Sequence, residues 1–158
     1  MINKTISCGG IIINSNKEFL ICQPSNTMTG NNDKCWNLPK GGMKREESLY
    51  QTTYREIYEE CGMKLFEDID GRPTHYPKET ALGIFKYNRY KYLFLIALEL
   101  KEDVSIDFFN CNIHNGDKYP EMSDFKWVTF NSYKDYVSEH MRCTLFNVEI
   151  VLKEKGII

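Results

Sequence analysis

Three glutamates crowd one side of a helix-patterned stretch, and this crowding restricts how the chain can fold. Gly41 to Met63 reads GGMKREESLYQTTYREIYEECGM. At about 100° of rotation per residue, Glu56, Glu59 and Glu60 share one arc about 100° wide. Like charges at that spacing repel by a few tenths of a kcal/mol per pair, and the pattern offers no opposite charge at i+4 to settle them. Leu49, Thr53, Ile57 and Cys61 recur every four residues, with Tyr50 and Tyr54 alongside, and form the expected buried stripe. The acidic arc lies beside this stripe. It is therefore expected where helix meets sheet, with something positive over it.

The local signals bound this helix. Acidic residues in a first turn suit the helix dipole, so the helix is expected to begin near Glu46-Glu47-Ser48. Gly62 is a natural C-cap. Lys40-Gly41-Gly42 reads as a turn whose backbone can approach a ligand closely. The short extended piece Trp36-Asn37-Leu38-Pro39 precedes it, and Pro39 lacks a donor, so this piece should end or sit at an edge.

Elsewhere the chain alternates strand and loop signals. Ser7 to Ile13 and Glu18 to Gln23 read as a hairpin around Asn14-Ser15-Asn16-Lys17. Ala81 to Lys86 and Lys91 to Leu100 are strands, joined around Tyr87-Asn88-Arg89-Tyr90. Ser105 to Phe109 and Asp124 to Phe130 are further strand candidates, and His114-Asn115-Gly116-Asp117 is a turn. Ser132 to Glu139 reads as a short helix. His140 to Lys155 is a final helix with Met141, Leu145, Val148, Val151 and Leu152 as its apolar face. Pro24 to Lys34, Phe66 to Glu79 and Lys101 to Pro120 are mostly loop.

The chain, at 158 residues, suits one domain spanning 1–158 and needs no disulfide staple to build a core. The net charge of -2 argues against nonspecific binding to DNA or RNA backbone, which needs a basic face. The 6 cysteines form no CxxC pair, so buried reduced thiols in a cytoplasmic protein are expected, and zinc is not. Met1-Ile2-Asn3-Lys4 leads directly into a strand-like run without a signal-peptide pattern. No apolar run reaches the roughly 20 residues of a membrane span. A monomer or a homodimer is expected.

Carboxylates without nearby Cys or His suit Mg²⁺ or Mn²⁺ better than zinc. Mg²⁺ is held by a few carboxylates plus substrate phosphates and water, so the residues point to metal-assisted phosphate chemistry.

Gly41, Glu47, Arg55-Glu56-Ile57, Glu59-Glu60 and Gly62-Met63, at their spacing, resemble the complete Nudix box. Trp36-Asn37-Leu38-Pro39-Lys40-Gly41 is similar to the family's WxxPKG lead-in. Ser7-Cys8-Gly9-Gly10-Ile11-Ile12 resembles its first strand, and Phe125-Lys126-Trp127-Val128 the strand before its last helix. The resemblance implies an α/β/α sandwich around a mixed β-sheet. It implies hydrolysis of a nucleoside diphosphate linked to another group, with Mg²⁺ or Mn²⁺. Glu56, Glu59 and Glu60 match the metal-binding carboxylates, and a backbone carbonyl near Lys40 or Gly41 often adds a ligand. Arg55 matches the arginine that orients the glutamates. Glu47 matches the box's first glutamate, as its salt-bridge partner or as a direct participant. Ile57 and Met63 match core positions. Members often add a carboxylate from a later loop, for which Glu121 is the candidate and Asp117 and Asp124 the competitors. Either Glu121 or Glu60 then serves as general base.

Substrate contacts are assigned to Lys40, Gly41, Tyr76 and Arg89, with Lys86, Lys91, Phe85, Tyr87 and Tyr90 around the same hairpin. The lead-in looks more like the dinucleoside polyphosphate, RNA 5′-end and diphosphoinositol branches than the ADP-ribose branch. The expected substrate is a small nucleotide, a dinucleoside polyphosphate, or an RNA 5′-pyrophosphate. The alternatives are an ADP-ribose, nucleotide-sugar or diphosphoinositol pyrophosphatase, or a Nudix module that senses a nucleotide without cutting it.

Overall fold

Runs of β-branched and apolar residues form a six-stranded mixed sheet in the computed structural model. The structure describes residues 4–25, 35–65, 77–111, 114–115 and 119–158. The strands are β1 (Thr5–Ile13), β2 (Phe19–Pro24), β3 (Lys40–Gly42), β4 (Lys78–Lys86), β5 (Lys91–Glu99) and β8 (Met122–Val128). Their order is β4-β5-β1-β2-β8, with β3 added against β1. Strands β1 and β5 run parallel in unbroken register from Thr5↔Lys91 to Ile13↔Glu99, and the other pairings are antiparallel. A separate pair joins β6 (His114–Asn115) and β7 (Tyr119–Pro120), so His114 and Asn115, expected in a turn, are in a strand, while Gly116 and Asp117 lie outside the described residues.

One helix covers each face. Helix α1 (Leu49–Cys61) packs Ile57 and Cys61 against Cys8 and Ile12 of β1. Helix α2 (Glu139–Glu154) packs Met141, Leu145, Val148 and Leu152 against Ile11 and Ile13 of the same strand. The alternation along β1 thus divides two cores, as the period-2 pattern of a strand buried on both faces requires. The α/β/α sandwich and mixed sheet are as expected.

Strands β1 and β2 pair only at Ile13↔Phe19, and the segment from Asn37 to Gly42 wedges between them beyond that point. Asn37 exchanges backbone hydrogen bonds with Cys22 at 2.7 and 2.8 Å, and Gly10 donates to the Pro39 carbonyl at 3.2 Å. Close approach demands glycine here: a Cβ on Gly9 would overlap the Pro39 carbonyl and Lys40. Lys40-Gly41-Gly42, expected as a turn, is therefore strand β3, because the gap beside β1 supplies partners for its backbone.

Other local expectations shift. Ser48 is the N-cap of α1 and forms a capping box with Gln51, so Glu46 and Glu47 stand before the first turn. Tyr50 is exposed and not part of the buried stripe, whereas Thr52, Glu56 and Glu60 are buried. Ser105 to Phe109 is not a strand: Ile106–Phe108 forms one 3₁₀ turn capped by Ser105. The short helix expected after Ser132 is the 3₁₀ turn Tyr133–Asp135.

Candidate active site

Helix α1 rises from the β3 wedge and turns its acidic arc toward it. The positive group over the arc comes from the helix itself. Arg55 Nε and Nη2 donate to the two Glu47 oxygens at 2.6 and 2.8 Å, a bidentate pair. Its Nη1 donates to Glu56 at 2.6 Å and to Glu59 at 3.1 Å, and its Nη2 also donates to the Gly42 carbonyl at 2.9 Å. The expectation that the arc lacks an i+4 counter-charge fails at Glu59, which stands four residues after Arg55. One planar guanidinium thus ties the loop before α1, strand β3 and two of the three glutamates.

Glu47 is fixed further by the Lys44 amide and the Thr52 hydroxyl, each at 2.9 Å. The Arg55 and Lys44 hydrogen bonds pull its carboxyl down to about 2. Of the two roles open to Glu47, the salt bridge is the one with contacts. Thr52 and the Lys44 amide were missed in the sequence. A hydroxyl five residues after the glutamate carries no signal until the loop before α1 folds back.

Glu60 is 4% exposed and accepts the Lys40 amide at 2.9 Å. Burial pushes its carboxyl well above the ordinary range, against the Lys40 bond, and the Glu56 and Glu121 charges push the same way. Glu56 is likewise raised, first by burial, with Arg55 opposing and the Glu59 and Glu121 charges adding. Gly41 faces Glu56 directly, and a Cβ there would overlap its carboxyl group. Glu59 is the most open of the three, with 26% of its side chain exposed.

Glu121 lies between β7 and β8, close enough for its charge to act on both Glu56 and Glu60. The structure therefore brings Glu121 to the arc across more than sixty residues of sequence. Asp124 is exposed on β8, and Asp117 lies outside the described residues.

Lys40 divides its groups. Its amide serves Glu60 while its ammonium sits 5.2 Å from the Tyr87 ring centroid, and burial lowers its pKa against the pull of Glu60 and Glu56. Arg89 is exposed in the turn after β4, its guanidinium 5.5 Å from the Tyr90 ring centroid. Tyr76 lies outside the described residues.

The donor set suits a hard cation. Three carboxylates share one arc, two are buried with their neutral forms favoured first by burial and then by neighbouring carboxylate charge, and Gly41 makes room for the Glu56 carboxyl. Among the described residues no group of three or more Asp, Glu, Cys or His side chains is placed to hold a metal ion by itself. The Lys40 amide and Arg55 engage oxygens of all three glutamates. An open site completed by phosphate and water fits this better than an all-protein cage.

A mixed sheet between two helices, with an arginine-clamped acidic arc on one of them, defines an α/β phosphohydrolase class. The NUDIX domain model matches residues 3–146, and the chain belongs to that family and is a Nudix hydrolase. An RNA pyrophosphohydrolase of Pelagibacter ubique is 25% identical over 152 residues, covering 92% of this chain and 89% of that protein. A MutT protein of Methanosarcina mazei superposes with a TM-score of 0.62 at 22% identity, covering 97% of this chain and 96% of that one. A Francisella tularensis bifunctional NMN adenylyltransferase/ADP ribose pyrophosphatase complexed with AMP and a Mn ion gives a TM-score of 0.62 at 16% identity. It covers 98% of this chain and 42% of that one.

Proposed function

We propose that this protein is a Mg²⁺- or Mn²⁺-dependent pyrophosphohydrolase acting on the 5′-pyrophosphate of RNA, with dinucleoside polyphosphates as the next substrate class. The observation that carries the reading is the arc of Glu56, Glu59 and Glu60, clamped by the bidentate Arg55–Glu47 pair beside β3. The RNA pyrophosphohydrolase relative supports the substrate. Unbridged cysteines suit a cytoplasmic setting.

Glu56, Glu59 and Glu60 would hold the metal, which when bound neutralises charge on the diphosphate and makes an attacking water more acidic. Arg55 orients Glu56 and Glu59 and keeps Glu47 as its counter-charge. Gly41 lets the backbone approach the carboxylates. Glu60 or Glu121 takes the proton from water: both lie at the arc, and a carboxylate with a raised pKa is the better base near neutral pH. Lys40, on β3, and Arg89, in the turn between β4 and β5, contact phosphate.

The test is Mg²⁺-dependent phosphate release from 5′-triphosphorylated RNA, diadenosine tetraphosphate and ADP-ribose, with Glu60→Gln as control. RNA turnover above the other two, lost in Glu60→Gln, is expected. Turnover that survives Glu60→Gln or needs no divalent ion would sink the mechanism, and nucleotide binding without turnover would favour the sensing module.

A further inference from the structure

A cleft of about 380 Å³ opens between the 3₁₀ turn Ile106–Phe108 and the first half of β8. Its floor is apolar: Phe109 is 4% exposed and Met122 6%, and the Phe109 and Phe125 rings meet at a tilt with centroids 6.1 Å apart. Its rim is polar, with Asp107, Asn110, Ser123 and Asp124 exposed around the mouth. None of the described residues lining it is Lys or Arg. Such a cleft does not select phosphate. It selects a flat apolar body with hydrogen-bond donors on its edge.

The cleft is joined to the helix that carries the acidic arc. Cys111, on its wall, donates through Sγ to the Glu59 carbonyl at 3.3 Å, and the Asn110 amide donates to the Cys61 carbonyl at 3.2 Å. Two wall residues therefore hang on the last turn of α1. Glu121, whose charge acts on Glu56 and Glu60, stands between Pro120 and Met122, which also line the cleft. The volume falls in the small-molecule range of roughly 300–1,000 Å³.

Resting on the reading above, we infer that this cleft is a nucleobase subsite that selects bases carrying an exocyclic amine. The base lies over the Phe109 and Phe125 rings and donates its amino hydrogens to the Asp107 and Asp124 carboxylates. Adenine and cytosine carry such an amine and uracil presents a carbonyl oxygen at the same position. The carboxylates therefore attract the first two and repel the third. Aromatic stacking supports any base, so discrimination comes from the rim.

The test is calorimetric titration of the protein with AMP, CMP and UMP in Mg²⁺ buffer, repeated with Asp107→Asn/Asp124→Asn. Both positions are exposed, and asparagine at 124 keeps the oxygen that accepts the Phe125 amide. AMP and CMP should bind about tenfold tighter than UMP, the scale of one charged hydrogen bond. In the double variant the ratio should fall to about one, because the amides now donate to uracil. Equal affinities in the unaltered protein, or a ratio the variant leaves unchanged, overturn the inference. Phosphate release from triphosphorylated RNA separates the two claims. An intact ratio without turnover sinks the pyrophosphohydrolase reading and leaves the cleft, while turnover without base preference does the reverse.

Discussion

Gly41 is the position at which one added methyl group should separate catalysis from folding. Its backbone is in strand β3, and its φ is not in the left-handed region, so alanine brings no conformational strain. The new Cβ would instead overlap the carboxyl carbon and both oxygens of Glu56. Ordinary contact distances of about 3.5–4.0 Å require the carboxyl to retreat by about 1 Å or more. The methyl meets the far end of a flexible side chain, so the fold can yield locally. Loss of the 2.6 Å Arg55 contact then sets the stability change at about 1–2 kcal/mol. Catalysis is less forgiving, since a displacement of about 1 Å in a reacting constellation costs on the order of 10²-fold, or about 2.7 kcal/mol of barrier. Gly42→Ala is the paired control, because nothing lies within 4 Å of a Cβ there. Steady-state kcat/KM with Mg²⁺ and thermal melts of both variants provide the assay. Gly41→Ala should remain folded and lose about 10²-fold, while Gly42→Ala stays within about threefold of the parent. Full activity in Gly41→Ala, or equal losses in the two, would refute the argument that Gly41 makes room for Glu56.

Four shorter predictions accompany it. Glu60→Gln should lower kcat by about 10²-fold or more and Glu121→Gln by less; the reverse order in single-turnover assays would make Glu121 the base. Arg55→Lys should destabilise by about 2 kcal/mol in urea melts and slow turnover, since an ammonium cannot reproduce the fork to Glu47, Glu56 and Glu59; unchanged kinetics would remove Arg55 from the site. Glu47 has a folded pKa of about 2 against an ordinary 4.5, so its contribution is complete above 4.5 and is lost as pH falls toward 2. Acid titrations should show this loss in the parent and not in Glu47→Gln. Burial holds the Cys8 thiol at about 11 and the Cys61 thiol at about 12, so a thiol reagent at pH 8 should label exposed Cys143 before either, read by peptide mass.

The fold was legible where a residue's neighbours are close in sequence. The continuous apolar run Ile11-Ile12-Ile13 announced β1 as a buried strand, and the stripe Ile57, Cys61 announced the buried side of α1. The Lys40-Gly41-Gly42 strand was not legible, because glycines advertise a turn and only the gap between β1 and β2 gives them ladder partners. Ser105 to Phe109 misled in the same way: its alternation of polar and apolar residues fits a strand, yet Ser105 caps a 3₁₀ turn, and among the described residues no strand pairs with it. At the site, spacing alone placed Glu56, Glu59 and Glu60 on one arc, whereas the Glu47–Arg55 pair was implied only by the resemblance to the Nudix box. The approach of Glu121 depends on β8 pairing with β2, a long-range fact that local pattern does not carry. Tyr50 was assigned to the core by its place beside Leu49; the helix starts later than expected, and the ring stays at the surface against Phe94.

The bond from the Lys40 amide to Glu60 also makes that proton a spectroscopic reporter. An amide hydrogen given to an ionised carboxylate resonates downfield of one given to the neutral acid, and it exchanges with solvent only when the contact opens. A single ¹H–¹⁵N cross-peak therefore reads the charge of a buried glutamate without any label at the glutamate. Its titration midpoint gives the Glu60 pKa in the free protein. Its shift on adding Mg²⁺ or nucleotide tells whether either one reaches the arc, before any bond is broken.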